Sequence, residues 1–163
     1  MSATVEPPAG QDRDRLLSTP SAITVFALDY GTKKMGVAVG QTLTRTAMGI
    51  AVLPVKQREP DWAQLDALVQ RWKPGAFVIG MPYNMDGTAS PMSEAAKRFA
   101  LTVSARYDRH CHTIDERLST REAREITREN AARIGKKYND RTKVDAMAAQ
   151  LLLESWFDTN PDA

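Results

Sequence analysis

Acidic side chains stand at three places in the chain where carboxylates could do chemistry. Asp29 closes one apolar run, Asp115 and Glu116 close another, and Asp145 lies in the first turn of the last predicted helix. Carboxylates from separate strand ends and a helix start can converge on one point, where a divalent cation relieves their mutual repulsion. The positions therefore predict a site for Mg²⁺ or Mn²⁺, whose chemistry would be the hydrolysis of a phosphodiester bond.

Each acid also has a structural interpretation. Asp29 could simply begin a turn, a position that aspartate favours. Asp145 could complete a capping box with the threonine three residues before it. Asp115 or Glu116 could pair with Arg117 at a strand end, and alternation sends these two acidic side chains to opposite faces of a sheet. Taken together, at three converging elements, the acids favour a metal site.

A basic segment lies beside two of these acids. Between Arg117 and Lys143, nine lysines and arginines against four acids leave a charge of +5. Such cations suit a metal-dependent nuclease, because they bind the phosphate backbone while carboxylates hold the metal. Glutamates interleave with arginines in the first half of the segment, so ordinary surface pairing explains part of the charge. The predicted nucleic-acid contacts are Lys33, Lys34, Arg117, Lys136, Lys137 and Arg141, together with Tyr83 and Asn84 in a loop rich in turn-forming residues.

Composition bounds the class of protein. A chain of 163 residues, 42% apolar and with a net charge of +2, fits one domain with its own core. No apolar run reaches the roughly 20 residues of a membrane span, and the N-terminus lacks the apolar centre of a signal peptide. The single cysteine, Cys111, excludes an internal disulfide framework and suits a reducing cytosol. Neither His110 nor His112 has zinc-ligand spacing, so we interpret both as structural.

The elements that must position the acids follow the order β-β-β-α-β-α-β-α-α. This order predicts an α/β fold with a mixed five-stranded sheet, three antiparallel strands leading, and helices on both faces. Residues 1–21 are predicted to be a flexible extension, 22–158 one domain, and 159–163 a tail. The predicted strands are 23–28, 35–39, 46–55, 76–81 and 110–116, and the predicted helices are 61–72, one from 91 with Ser90 as its cap, 119–133 and 143–157.

Four motifs carry a family resemblance. ALDYGTKKMGVAVG, VIGMPYNMDGTASP, TIDERLSTREA and KVDAMAA, in this order and spacing, resemble the YqgF (RuvX) family of bacterial RNase H-like nucleases over residues 23–157. The resemblance implies an RNase H-like fold, a cytoplasmic enzyme, and Asp29, Glu116 and Asp145 as catalytic, metal-binding acids. Resolvases carry an acid in the strand that corresponds to residues 76–81, and this chain has none there, so Glu116 must supply the second acid.

The same resemblance implies the partners. The family is described as the nuclease that helps mature the 5′ end of pre-16S rRNA, and it was earlier proposed to resolve Holliday junctions. It therefore implies RNA as the substrate, with branched or single-stranded DNA as the alternative. The enzyme would act as a monomer or a homodimer, because a four-way junction needs two coordinated cuts.

Two functions of other kinds remain to be compared. Asp29, Gly31, Thr32 and Lys33 also match the start of the phosphate-binding hairpin in actin-like ATPases, but the chain shows no second phosphate loop and no adenosine-binding segment. A non-catalytic nucleic-acid-binding module, with its acids kept for folding, would bind RNA tightly without cutting it.

Overall fold

The computed structural model describes residues 22–84, 86–116 and 141–161, and within 141–145 it describes the backbone alone. The strands are β1 Thr24–Tyr30, β2 Lys34–Gln41, β3 Thr46–Lys56, β4 Glu59–Pro60, β5 Ala76–Met81 and β6 His110–Asp115. The helices are α1 Trp62–Trp72, α2 Pro91–Tyr107 and α3 Arg141–Thr159.

The sheet is mixed, as the element order predicts. Its strands lie in the order β4-β3-β2-β1-β5-β6. Strands β1 to β4 pair antiparallel with one another, whereas β5 pairs parallel with both β1 and β6. Because β1 is central, its residues have neighbours on both sides, and the carboxyl ends of β1, β5 and β6 lie at one edge of the sheet.

The predicted strand count of five is wrong, because the sheet has a sixth strand. No strand is predicted between the strand 46–55 and the helix 61–72, but Glu59 and Pro60 pair with Lys56 and Val55 as β4. Two residues are too few to show a hydrophobic period, and proline weakens the strand signal. Proline is tolerated here because β4 is an edge strand. The side of an edge strand that faces solvent needs no backbone N–H for pairing.

Two apolar layers cover the two faces of the sheet. On one face α1 and α2 pack over alternate strand residues, including Phe26, Leu28 and Phe77, all fully buried. On the other face α3 covers the intervening residues, including Val25 and Ala27. Helices on both faces are therefore confirmed, and the alternation of β1 assigns its even-numbered residues to one layer and its odd-numbered residues to the other.

Helix starts follow local capping chemistry. The Asp61 side chain accepts a hydrogen bond from the Gln64 backbone N–H and begins α1. Ser90 caps α2 as predicted, with Pro91 at the first helical position, and Ser93 completes the capping box. The last helix is two residues longer at each end than predicted. The predicted helix 119–133 and the extension 1–21 lie outside the described residues, and no described helix is long and apolar enough to cross a membrane.

Candidate active site

Asp29 lies at the carboxyl end of the central strand, on the face that α3 covers. It follows Val25 and Ala27, whose side chains pack under α3, at the next position of the same strand face. The parallel pairing of β1 with β5 joins Leu28 to Ile79, so Asp29 and Gly80 are the next residues on each strand. The Asp29 side chain is half-buried at this end of the sheet.

Glu116 reaches over the neighbouring strand. It follows the last residue of β6, and its side chain is half-buried. A Cβ built on Gly80 would lie 2.7 Å from Glu116 Oε1 and 3.0 Å from Glu116 Cγ. The Glu116 carboxylate therefore occupies the space that a side chain at position 80 would fill. Position 80 directly follows Ile79, the partner of Leu28. The sheet thus brings Asp29 and Glu116 to the same face on either side of one glycine.

Asp115, the neighbouring acid, belongs to the other face. Ile114 packs in the layer under α3, whereas Cys111 packs with the layer under α1 and α2. Positions 114 and 116 therefore share one face, and 111 and 115 share the other. This arrangement distinguishes two acids that the sequence places side by side.

Asp145 lies near the start of α3, and its side chain is outside the description. The backbone oxygen of the next residue, Ala146, lies 2.5 Å from a Cβ built on Gly49. Gly49 pairs with Ala38 of β2, which pairs with Ala27 of β1. At the other end of α3, Phe157 lies against Gly40, which pairs with the first half of β1.

This packing sets the direction of the helix. The start of α3 lies toward the carboxyl end of β1, where Asp29 stands, and its end lies toward the start of β1. The Gly49 N–H also donates a 3.1 Å hydrogen bond to Gln150 Oε1, which fixes α3 against β3. The backbone at position 145 is therefore at the same end of the sheet as Asp29.

The loop after β5 borders this edge. Asn84 Nδ2 donates to Thr88 Oγ1 at 3.0 Å and to the Ala89 carbonyl at 3.3 Å. Asp86 Oδ1 accepts from the N–H and the hydroxyl of Thr88. The Asn84 side-chain amide is thus held inside the loop by its own hydrogen bonds. Tyr83 is exposed, with 37% of its surface accessible.

The predicted cations divide into described and undescribed residues. Lys33 lies in the β1–β2 turn and Lys34 begins β2, and both are exposed. The Lys33 carbonyl accepts a 2.8 Å hydrogen bond from the Val55 N–H, which holds the turn against β3. Arg117, Lys136 and Lys137 lie outside the described residues, as does the side chain of Arg141, the first residue of α3.

The donor set at this edge suits a hard divalent cation. Carboxylate oxygens are the ligands that Mg²⁺ and Mn²⁺ prefer, and Gly80 leaves room for the Glu116 carboxylate. Among the described side chains, no group of three or more His, Cys, Asp or Glu could hold a metal ion, and the third acid of the predicted set, Asp145, is not among them. The two described carboxylates fit one side of such a site.

Three other side chains of β6, those of His110, Cys111 and His112, are accounted for by burial and packing. Burial raises the pKa of Cys111 to about 12, so its thiol stays protonated and is not a nucleophile near neutral pH. His110 and His112 pack ring to ring, with centroids 4.2 Å apart, and His112 also packs on Trp156. Their interpretation as structural residues agrees with these contacts.

Gly80 is a residue beside the candidate site that the sequence interpretation missed. It lies inside a strand that is buried throughout. A glycine inside a buried strand weakens the strand and often marks a close approach by another group. That signal was present in the apolar run AFVIGM, and the group that approaches is the Glu116 carboxylate.

Comparison with known protein families gives a match over most of the chain. The model of a family described as "RuvX: Holliday junction resolvase" matches residues 23–159. A protein of Azotobacter vinelandii named "Putative pre-16S rRNA nuclease" is 45% identical over 137 residues, covering 84% of this chain and 94% of its own. A protein of the same name from Pseudomonas fluorescens SBW25 is 46% identical over 136 residues, covering 83% and 92%.

Solved structures share the fold at low identity. A RuvC of Thermus thermophilus, in complex with a Holliday junction substrate, superposes with a TM-score of 0.53 at 15% identity and covers 86% of this chain and 96% of its own. The Holliday junction resolvase of fowlpox virus gives a TM-score of 0.51 at 14% identity, covering 84% and 99%. These likenesses confirm the predicted RNase H-like fold.

Proposed function

This chain belongs to the RuvX family, and on that premise we propose that it cleaves RNA in the 5′-end processing of pre-16S rRNA. The family is one of nucleases, so the chain is a hydrolase acting on the ester bonds of a nucleic acid. The observation that carries the proposal is the placing of the Glu116 carboxylate over Gly80, on the face that carries Asp29. A carboxylate pair at that edge suits phosphodiester hydrolysis.

The metal is the first part of the mechanism. Nucleases of this fold use divalent metal ions, and Asp29, Glu116 and Asp145 would hold Mg²⁺ or Mn²⁺ here. When bound, such an ion lowers the pKa of water and stabilises the charge that develops on the phosphoryl oxygens. Without a cation, carboxylates crowded at one edge repel one another.

The chain's own residues then orient the substrate. Asp29 and Glu116, as carboxylates, accept hydrogen bonds and orient water at the sheet edge. Lys33 in the β1–β2 turn and Lys34 at the start of β2, both exposed at the end of β1 that carries Asp29, would bind the phosphates that flank the cleavage point. Tyr83, exposed in the loop after β5, offers a ring on which a base can stack. Further phosphates of the RNA would be bound by Arg117, Lys136, Lys137 and Arg141.

We place the reaction in the cytoplasm, where pre-16S rRNA is found. A monomer suffices for trimming one RNA end, because each cut needs one set of acids. Two coordinated cuts at a four-way junction would instead call for a symmetric pair of sites.

The experiment compares three labelled substrates: an RNA spanning the 5′ leader of pre-16S rRNA, a single-stranded DNA of equal length, and a four-way DNA junction. Each is incubated with Mg²⁺, Mn²⁺ or EDTA. The proposal predicts metal-dependent cleavage of the RNA, slower cleavage of the DNA strand, and no paired nicks in the junction. RNA that stays intact while any DNA substrate is cut would overturn it.

A Holliday junction resolvase is the second candidate. The printed description of the matching family favours it. Its signature would be paired, symmetric nicks across the junction, with a dimer as the active species. The same three substrates decide between the two functions, because the sites of cleavage differ even where the catalytic acids do not.

A further inference from the structure

A second cleft lies on the opposite face of β1 from the acids. It has a volume of about 210 Å³ and is lined by residues of β1, the β3–β4 turn, β4, α1 and α2, among them Tyr30, Arg58, Glu59, Trp62 and Arg98. Tyr30 directly follows Asp29, so the end of β1 carries a candidate catalytic acid on one face and a wall of this cleft on the other.

The turn that presents Arg58 is unusual. Gln57 and Arg58 both have left-handed backbone angles, with φ of 52° and 67°. Two successive residues in that region suit the tight turn of a two-residue hairpin, but side chains with a Cβ disfavour it. The Tyr30 hydroxyl donates a 2.5 Å hydrogen bond to the Arg58 carbonyl. The fold thus holds a strained turn in place, and strain of this kind clusters at functional positions.

The polar groups of the cleft are used unequally. Glu59 Oε2 accepts a 2.6 Å hydrogen bond from Trp62 Nε1, so the one acid of the lining already has a partner. Within the described part of the chain, the guanidinium groups of Arg58 and Arg98 make no hydrogen bond or ion pair. Both arginines are exposed, and both line the same cleft as Tyr30.

The aromatic rings of the cleft leave little room for a base. Tyr30 stacks on Phe99 with centroids 4.4 Å apart. Arg106 lies over the Trp62 ring at 4.7 Å, and Phe99 lies beside it at 5.8 Å. Rings covered in this way do not offer a stacking surface, whereas the two guanidinium groups offer donors. The cleft therefore suits a phosphate group of a ligand and would bind it whichever base is attached.

We propose that Arg58 and Arg98 form a phosphate subsite for the nucleic-acid strand that passes over the carboxyl end of β1. The subsite rests on the proposed function, because it places a flanking phosphate of the same substrate. A strand crossing this edge would meet the acids on one face and the two arginines on the other. Such contacts position the strand and add a salt-dependent, sequence-independent part of the affinity.

The test measures binding of the full chain to labelled single-stranded RNA in EDTA, by fluorescence anisotropy at several salt concentrations. The double variant Arg58→Gln/Arg98→Gln is compared with Arg71→Gln/Arg109→Gln, which removes the same charge from exposed arginines away from the cleft. We expect about tenfold weaker binding for the first variant at low salt, and a salt slope smaller by about 1.4, since each single-strand phosphate contact contributes ~0.7. The control should bind within about twofold of wild type.

Two further measurements separate a loss of phosphate binding from a loss of folding. Circular dichroism and urea unfolding establish that each variant is folded, and Arg58→Lys/Arg98→Lys, which keeps the charge, should restore binding to within about threefold of wild type. Binding by the Gln variant that equals the control, a loss that depends on RNA sequence, or no restoration by a folded Lys variant would each overturn the subsite. Failure of wild type to cleave any substrate would instead overturn the proposed function, because the binding comparison does not depend on cleavage.

Discussion

Adjacent acids in this chain differ in role because a strand alternates its side chains. Glu116 reaches over Gly80 on the face of Asp29, while Asp115 belongs to the opposite face. Only an acid on the α3 face can contribute to the candidate site. Asp115 is therefore a matched control for Glu116, because it is adjacent in sequence but lies on the opposite face of the sheet.

This contrast gives a first prediction. Glu116→Gln removes a charge at the site and should lower the rate of RNA cleavage by at least about a hundredfold, in line with the loss of one group acting on the transition state. Asp115→Asn removes the same charge one residue away and should cleave within about threefold of wild type. Single-turnover cleavage rates measure both. Equal loss in the two variants would contradict the face assignment.

A second prediction concerns Gly80. In Gly80→Ala the new Cβ meets the end of the flexible Glu116 side chain at 2.7 Å, and Leu152 Cδ1 at 2.9 Å. The carboxylate can swing aside, so unfolding free energy should fall by no more than about 1–3 kcal/mol. Displacing a catalytic group by about 1 Å can cost about a hundredfold in rate. We therefore expect a folded variant with strongly reduced cleavage, measured by urea unfolding and single-turnover kinetics in parallel.

At the scale of elements, the docking of α3 on β3 decides where Asp145 stands. The β2–β3 pairing shifts register between Val37 and Ala38, and Gly49, the partner of Ala38, donates to Gln150. The same glycine lets the Ala146 backbone approach. The contact with the sheet therefore fixes the first part of α3 against β3.

A third prediction tests that contact. In Gly49→Ala the new Cβ would lie 2.5 Å from the Ala146 backbone oxygen, which cannot rotate away, so α3 must move. We expect a loss of about 1–3 kcal/mol in unfolding free energy, together with slower cleavage. Met48→Leu is the control, since Met48 is the neighbouring residue and is 53% exposed. A Gly49→Ala protein as stable and as active as this control would contradict the proposed role of the contact.

The elements also explain what the sequence could predict. Strong local signals mark the apolar run Ala76–Met81 and the helix start at Ser90 and Pro91. The bounds of β5 and the start of α2 agree with the prediction. Strand β4 carries no such signal, because two residues have no period. Alternation shows that Asp115 and Glu116 face opposite ways, but which face forms the site depends on where α3 packs. That is a tertiary fact, and only the family resemblance pointed to Glu116.

At the scale of the whole molecule, the two faces of the sheet carry different candidate sites. The α3 face carries the acids, and the α1–α2 face carries the cleft of Arg58 and Arg98. The end of the sheet away from the acids carries His112, packed among aromatic rings. Its titration affects stability without touching the candidate site.

A fourth prediction follows from that histidine. Burial, with a smaller contribution from the charge of His110, lowers the pKa of His112 below its ordinary 6.5. As pH falls through about 6.5, the unfolded chain takes up a proton that the folded chain resists, so the free energy of unfolding decreases. Above about pH 7 both states are neutral and the effect vanishes. The decrease from about pH 7.5 to about pH 5.5 in urea unfolding should be smaller for His112→Gln than for wild type, and an equal decrease would contradict the shift.

The central claim, that carboxylates at the edge of β1 and β6 make this chain a metal-dependent nuclease, is tested most directly with Asp29→Asn. Cleavage of the pre-16S 5′-leader RNA is measured for wild type and variant in Mg²⁺, Mn²⁺ and EDTA. We expect wild type to cut in at least one metal and not in EDTA, and the folded variant to lose at least about a hundredfold in rate. An Asp29→Asn protein that cleaves as fast as wild type, with unchanged metal dependence, would contradict the account.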